Sequence, residues 1–211
     1  MEKHLNFKKI KTVVFPKFTG TNIDMMPFII GDVETIPEEI RSYVSLIESC
    51  YLPKSLYGQV AYLTITETLA KKGEAQRKKG IHLDFGKGGF IREKKEGEGI
   101  YIANTVKNSC RIWDTIIPAS DAQNDGSCEH LRANLGDGEF LKKSIVYFLH
   151  ENCPHESLPM SNNTKRQFFR LVVGEIKEWY EEFSTPSKFG VEPNCKIVDK
   201  LGFYSCHGAC W

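Results

Sequence analysis

Six short runs rich in β-branched and aromatic residues, with no helical run between successive ones, constrain this chain most. They are GQVAYLTITETLA (58–70), IHLDF (81–85), GIYIANT (99–105), CRIWDTII (110–117), KKSIVYFLHE (142–151) and RQFFRLVVGEI (166–176). Such residues fit a pleated, half-buried surface, and Gly, Asp and Asn punctuate the stretches between them. A doubly wound parallel sheet needs a helix between strands, so that architecture is disfavoured. Two packed antiparallel sheets or a barrel are expected. One helical pattern precedes the strands. TIPEEIRSYVSLIESC (35–50) sets Ile36, Ile40, Tyr43, Val44 and Ile47 at helical spacing, with Pro37 and two glutamates in the first turn. Its apolar side predicts a helical layer on a sheet. The fold class is therefore mainly β, all-β with a helical layer. Residues 1–184 read as one domain. Residues 185–211, rich in Gly, Pro and Cys, read as an irregular tail.

Composition narrows the function classes. With 41% hydrophobic and 26% charged residues over 211 positions, extended disorder is excluded. A net charge of +1 gives no global field toward nucleic acid or anionic lipid. No apolar run approaches the roughly 18 residues a membrane span needs. The basic start, MEKHLNFKKIKTVVFPKF, lacks the apolar core of a secretory signal. Seven cysteines, an odd number at irregular spacing, suit reduced thiols in a cytoplasmic protein.

The chemistry sits in KKGIHLDF (78–85). In a strand, residues i and i+2 share a face, so His82 and Asp84 can reach one ion. A mononuclear non-haem iron site takes two imidazoles and one carboxylate and leaves its other positions open. His155, in the turn CPHESLPM between two strand runs, is the candidate third ligand. The competitor is His150, at the end of SIVYFLH. Arg166 opens the next run, and Arg170 follows four residues later on the same strand face.

This order of His82, Asp84, His155 and then Arg166 or Arg170 resembles the iron(II)/2-oxoglutarate-dependent oxygenases. The resemblance covers residues 58–176. It implies a double-stranded β-helix, a jelly-roll of cupin-like shape. It implies Fe(II) held by His82, Asp84 and His155, and 2-oxoglutarate as cosubstrate. Arg166 or Arg170, or both, would grip the far carboxylate, a task that suits a planar guanidinium. Tyr101, Tyr62 or Asn104 would steady the other end. The implied reaction hydroxylates or demethylates a primary substrate while 2-oxoglutarate becomes succinate. A peptide side chain, a nucleobase and a small metabolite all remain open as that substrate. The alternatives are a cupin-like metal protein that does not use 2-oxoglutarate, and a jelly-roll binding module without chemistry.

Other features carry weaker expectations. KKGEAQRKK (71–79) is a solvated turn or a cationic approach to the site. FGKGGF (85–90) lacks the phosphate-loop ending and suits a mobile lip. Phe85, Phe90 and Trp113 are core or pocket-lining aromatics. His130 reads as solvated. Cys195, Cys206, His207 and Cys210 are soft ligands, but their spacing is awkward for tetrahedral zinc.

Overall fold

In the computed structural model, residues 6–84 and 95–198 are described. The strands in chain order are β1 (Phe7–Thr12), β2 (Asn22–Ile29), β3 (Val60–Ala70), β4 (Gly99–Asn104), β5 (Cys110–Ile112), β6 (Glu139–Phe140), β7 (Ile145–Leu149), β8 (His155–Ser157), β9 (Thr164–Val173), β10 (Glu178–Tyr180) and β11 (Lys196–Val198). Six form one antiparallel sheet in the order β1-β7-β4-β9-β3-β2. A smaller antiparallel sheet has the order β6-β5-β8. His82 extends it by a bridge to His155 at the edge of β8. From β3 onward the chain shuttles between the two sheets: β3 in the large one, His82 in the small one, β4 back, β5 and β6 across, β7 back, β8 across, and β9 back. The mainly-β expectation holds. β1, β2, β6, β8, β10 and β11 are additional to the six runs read from the sequence, with His155 opening β8 rather than lying in a turn, and of the described residues of IHLDF only His82 pairs, through isolated bridges.

β3 and β9 pair along their whole length, from Ala61 with Val173 to Ala70 with Thr164. Side-chain alternation divides the large sheet into two faces. One face presents Leu63, Ile65, Tyr101, Phe169 and Leu171 to the segment 36–50. That segment is a 3-10 turn, Glu38–Tyr43, running into a short helix, α1 (Val44–Glu48). A 3-10 turn stacks residues three apart, so Ile40 and Tyr43 share a face, and the α-helical turn then adds Ile47. The helical layer is thus present, though mostly in 3-10 form. Phe169 is wholly buried there, and a buried phenylalanine resists truncation by about 3–5 kcal/mol. The opposite face presents Ile102, Phe168 and Arg170 to the small sheet, and the candidate site lies in this interlayer.

β2 forms one edge of the large sheet, which is where Pro27 can lie without breaking a ladder. Parts of the expected tail, within residues 185–198, contact β2, its neighbour β3 and β10. Thr185 N–H donates to the Asp24 carbonyl at 2.7 Å, Tyr62 Oη–H donates to Asn194 Oδ1 at 2.6 Å, and β11 pairs in parallel with β10. Among the described residues, no helix is long and apolar enough to cross a membrane.

Candidate metal centre

His82 and His155 stand directly opposite one another. Each backbone N–H donates to the other's carbonyl, at 3.0 and 3.2 Å. A pair joined in this way projects both side chains to one face. The rings lie 4.6 Å apart, centroid to centroid. Each Nδ1 faces a main-chain carbonyl two residues back: Gly80 O at 2.8 Å for His82, and Cys153 O at 3.1 Å for His155. A carbonyl only accepts, so Nδ1 carries the proton and Nε2 of the neutral ring keeps its lone pair for the site. Asp84 follows His82 by two positions and turns to the same side. One ligand atom from each of His82, Asp84 and His155 lies within 4.8 Å of the others.

Asp84 has a divided environment. Its Oδ1 lies 3.1 Å from Arg170 Nη1 and 3.5 Å from His155 Nε2. Its Oδ2 is buried and has no hydrogen-bond partner among the described residues. A buried carboxylate oxygen left bare is costly unless something cationic meets it. Two imidazoles and a carboxylate with a bare second oxygen, one donor atom of each within 4.8 Å of the others, make a donor set that fits a divalent transition metal. This group can hold a metal ion.

The electrostatics agree. Burial, and then the neighbouring His155, push His82 down to about 3, so its ring is neutral at ordinary pH. Burial alone would also lower His155, but Asp84 outweighs it and the net shift is upward. Burial would raise the Asp84 carboxyl, yet Arg170 and His155 hold it far below the usual range. An ion bound here would displace any proton from His155 Nε2.

The group lines a cavity of about 170 Å³ whose apolar wall includes Met25, Leu83, Ile102, Phe168 and Trp179. Arg170 lines it too and bonds Asp84 and Asp24. Arg166 does not reach the cavity surface. It is fully buried behind Cys110 and Phe168, where Nε donates to Ser109 Oγ at 3.2 Å, Nη2 to Cys110 Sγ at 3.4 Å, and Nη1 to Gln76 Oε1. Tyr101 lies on the other face of the sheet, with its hydroxyl donating to Gly97 O at 2.8 Å. The cause is alternation: Ile100 and Ile102 take the cavity side of β4, so Tyr101 cannot. Tyr62 is engaged with Asn194. Asn104 accepts from Val106 N and Ser109 Oγ.

His150 pairs with Glu151 and stands apart from the group. His130 is exposed in a 3-10 turn, and Trp113 belongs to a separate cluster with Ile81 and Leu83. Of the basic turn, Arg77 and Lys78 line the cavity, but they are paired with Asp24 and Asp125. Phe85, Phe90 and the rest of FGKGGF lie outside the described residues, as do Cys206, His207 and Cys210. Cys195 is a free thiol beside Tyr62.

Three participants escaped sequence reasoning: Asp24, Thr64 and Gln76. An acid within the apolar run NIDMMPFI was the available signal for Asp24.

Compared with known proteins, the chain matches no family model, no curated protein and no solved structure.

Proposed function

We propose that this chain is an iron(II)- and 2-oxoglutarate-dependent oxygenase built on a double-stranded β-helix. The observation that carries the reading is the group of His82, Asp84 and His155, with one donor atom of each within 4.8 Å of the others and Asp84 Oδ2 buried and bare, lining a cavity of mixed polar and apolar walls. The shuttling of the chain between a large and a small antiparallel sheet supports the jelly-roll. Iron(II), when bound, supplies dioxygen activation coupled to decarboxylation of 2-oxoglutarate to succinate, leaving the substrate hydroxylated or demethylated.

The chain's own residues do the rest. The Gly80 and Cys153 carbonyls fix the ring tautomers of His82 and His155. Arg170 keeps Asp84 ionised and oriented. Arg166, which lies behind the cavity-lining Cys110 and Phe168, would anchor the far carboxylate only once those two side chains moved aside, and electrostatics favour it over Arg170 for that role. Arg170 already meets two carboxylates, whereas Arg166 is buried among neutral partners only. Burial pulls its pKa down, with Cys110 the chief opposition. A buried cation lacking an anion gains most from one.

The test is succinate formation from 2-oxoglutarate by the purified protein with Fe(II) and ascorbate, against His82→Ala. The reading requires succinate above the variant's level. It also requires Arg166→Met to raise the KM for 2-oxoglutarate by about 10-fold or more, the weight of one charged hydrogen-bonded contact. Metal bound without succinate would favour a cupin-like protein that does not use 2-oxoglutarate. Neither metal nor succinate would favour a binding module.

A further inference from the structure

Strand β2 contains an irregularity that regular pairing does not require. Its register with β3 shifts between Ile23 and Met26, and Met25 adopts a left-handed backbone at φ 46°. A non-glycine residue there is strained and persists only where the surroundings over-determine it. Here they do. Asp24 N–H donates to Thr185 Oγ1 at 3.1 Å, and Thr185 N–H donates to the Asp24 carbonyl at 2.7 Å. Met25 N–H donates to Thr64 Oγ1 at 3.1 Å, and Trp179 Nε1–H donates to the Met25 carbonyl at 2.7 Å. Bulges re-aim side chains, and this one turns Asp24 into the cavity wall.

There the Asp24 carboxylate meets two guanidinium groups and a hydroxyl. Oδ1 accepts from Thr64 Oγ1 at 2.7 Å and from Arg170 Nη2 at 3.3 Å, and Oδ2 accepts from Arg77 Nη1 at 2.8 Å. A guanidinium facing a lone carboxylate normally closes two parallel bonds on it. Arg170 does not do so with Asp84. It gives Nη1 to Asp84 Oδ1 and commits Nη2 to Asp24 and to Thr64 Oγ1, at 3.4 Å. Asp84 Oδ2 stays bare as a result.

We propose that Asp24 is a positioning residue for the metal group: by holding one arm of Arg170, it reserves the second oxygen of Asp84 for the ion. The inference rests on the metal centre proposed above and goes beyond it, because Asp24 touches neither the ion nor its ligands. Without Asp24, both arms of Arg170 are free to close on Asp84, and the guanidinium competes with the metal for Oδ2.

The experiment is a Co(II) titration of the whole chain, followed by the visible absorption of the bound ion, in a double-mutant cycle. Asp24→Asn is expected to lower Co(II) affinity about 10-fold or more, the usual scale for a group acting through a ligand. In an Arg170→Met background the same change should cost less than about 3-fold, because no guanidinium remains to collapse onto Asp84. A merely structural role for Asp24 would lower affinity equally in both backgrounds, and that result overturns the proposal. So does an unchanged affinity in Asp24→Asn while the unsubstituted protein binds Co(II). If the unsubstituted protein binds no Co(II), the metal centre itself falls and this role with it. Should Asp24→Asn not fold, Thr64→Val carries the same cycle with the same direction and a smaller size, since it removes a hydroxyl that donates to Asp24 Oδ1 and accepts from Arg170 Nη2 and Met25 N–H while the direct Asp24–Arg170 contact remains.

Discussion

Glu67→Gln should destabilise the protein without touching the cavity. Glu67 lies on β3 and is 3% exposed. Its Oε2 accepts from the backbone N–H groups of Thr19, Gly20 and Thr21 at 2.6, 2.7 and 3.0 Å, and from the Thr19 hydroxyl at 3.1 Å. Its Oε1 accepts from Tyr43 Oη at 2.6 Å and Gln167 Nε2 at 2.8 Å. One carboxylate thus ties the N-terminal segment, the helical layer, β3 and β9 together. Every partner is a donor, so an amide NH₂ has no good place. At the Oε2 end it would face three fixed N–H groups. At the Oε1 end it would face Gln167 Nε2, while the Tyr43 hydroxyl could turn and accept. Glutamine takes the second orientation, losing the Gln167 bond and the charge on the others. At about 1.5–3 kcal/mol for a bond to a charged group, the loss is roughly 3 kcal/mol. A chain of this size loses about 2–4 °C per kcal/mol, so Tm should fall by roughly 10 °C.

The pH dependence of that loss is fixed in sign. Burial would raise the Glu67 carboxyl, but Tyr43, Thr19, Gln167 and Thr21 outweigh it and hold the pKa below its usual 4.5. A depressed carboxyl contributes its stability above the unfolded value and loses it as the pH falls through the folded value. Thermal unfolding followed by circular dichroism, from about pH 7 to about pH 3, should therefore show the two proteins converging in acid. A Tm gap that stays constant across that range, or no gap at neutral pH, would refute the reasoning.

Tyr101→Phe should leave succinate formation unchanged, because the hydroxyl faces away from the cavity and bonds only Gly97 O. Its cost in thermal unfolding should be about 1 kcal/mol, and a raised KM for 2-oxoglutarate would restore Tyr101 to the site. His150→Ala should leave Co(II) affinity where it is, since His150 pairs with Glu151; a lost or weakened titration would make it a ligand after all.

What the sequence made legible follows from what repeats along it. His82 and Asp84 meet at one site, as the His-x-Asp spacing suggested in three letters, although only His82 bridges another segment and Asp84 lies in a turn. His155 was recoverable because it sits where one strand run ends and the next has not begun, which is where a returning chain meets its partner. Tyr101 was not recoverable. GIYIAN is buried at every position, so its pattern is apolar on both sides and carries no information about which face meets the cavity. Asp24 was hidden for a different reason. Its direction is set by a bulge that tertiary hydrogen bonds from Thr64, Trp179 and Thr185 hold in place, and periodicity is the property a bulge breaks. Arg166 and Arg170 show the limit most sharply. They are the same residue on the same face of one strand, four positions apart. Their jobs differ only through partners far away in the chain: Asp84 and Asp24 for Arg170; Gln76, Ser109 and Cys110 for Arg166. A guanidinium's role is set by the anions it has already met: Arg170 is committed to two carboxylates, and Arg166, buried behind Cys110 and Phe168, has met none.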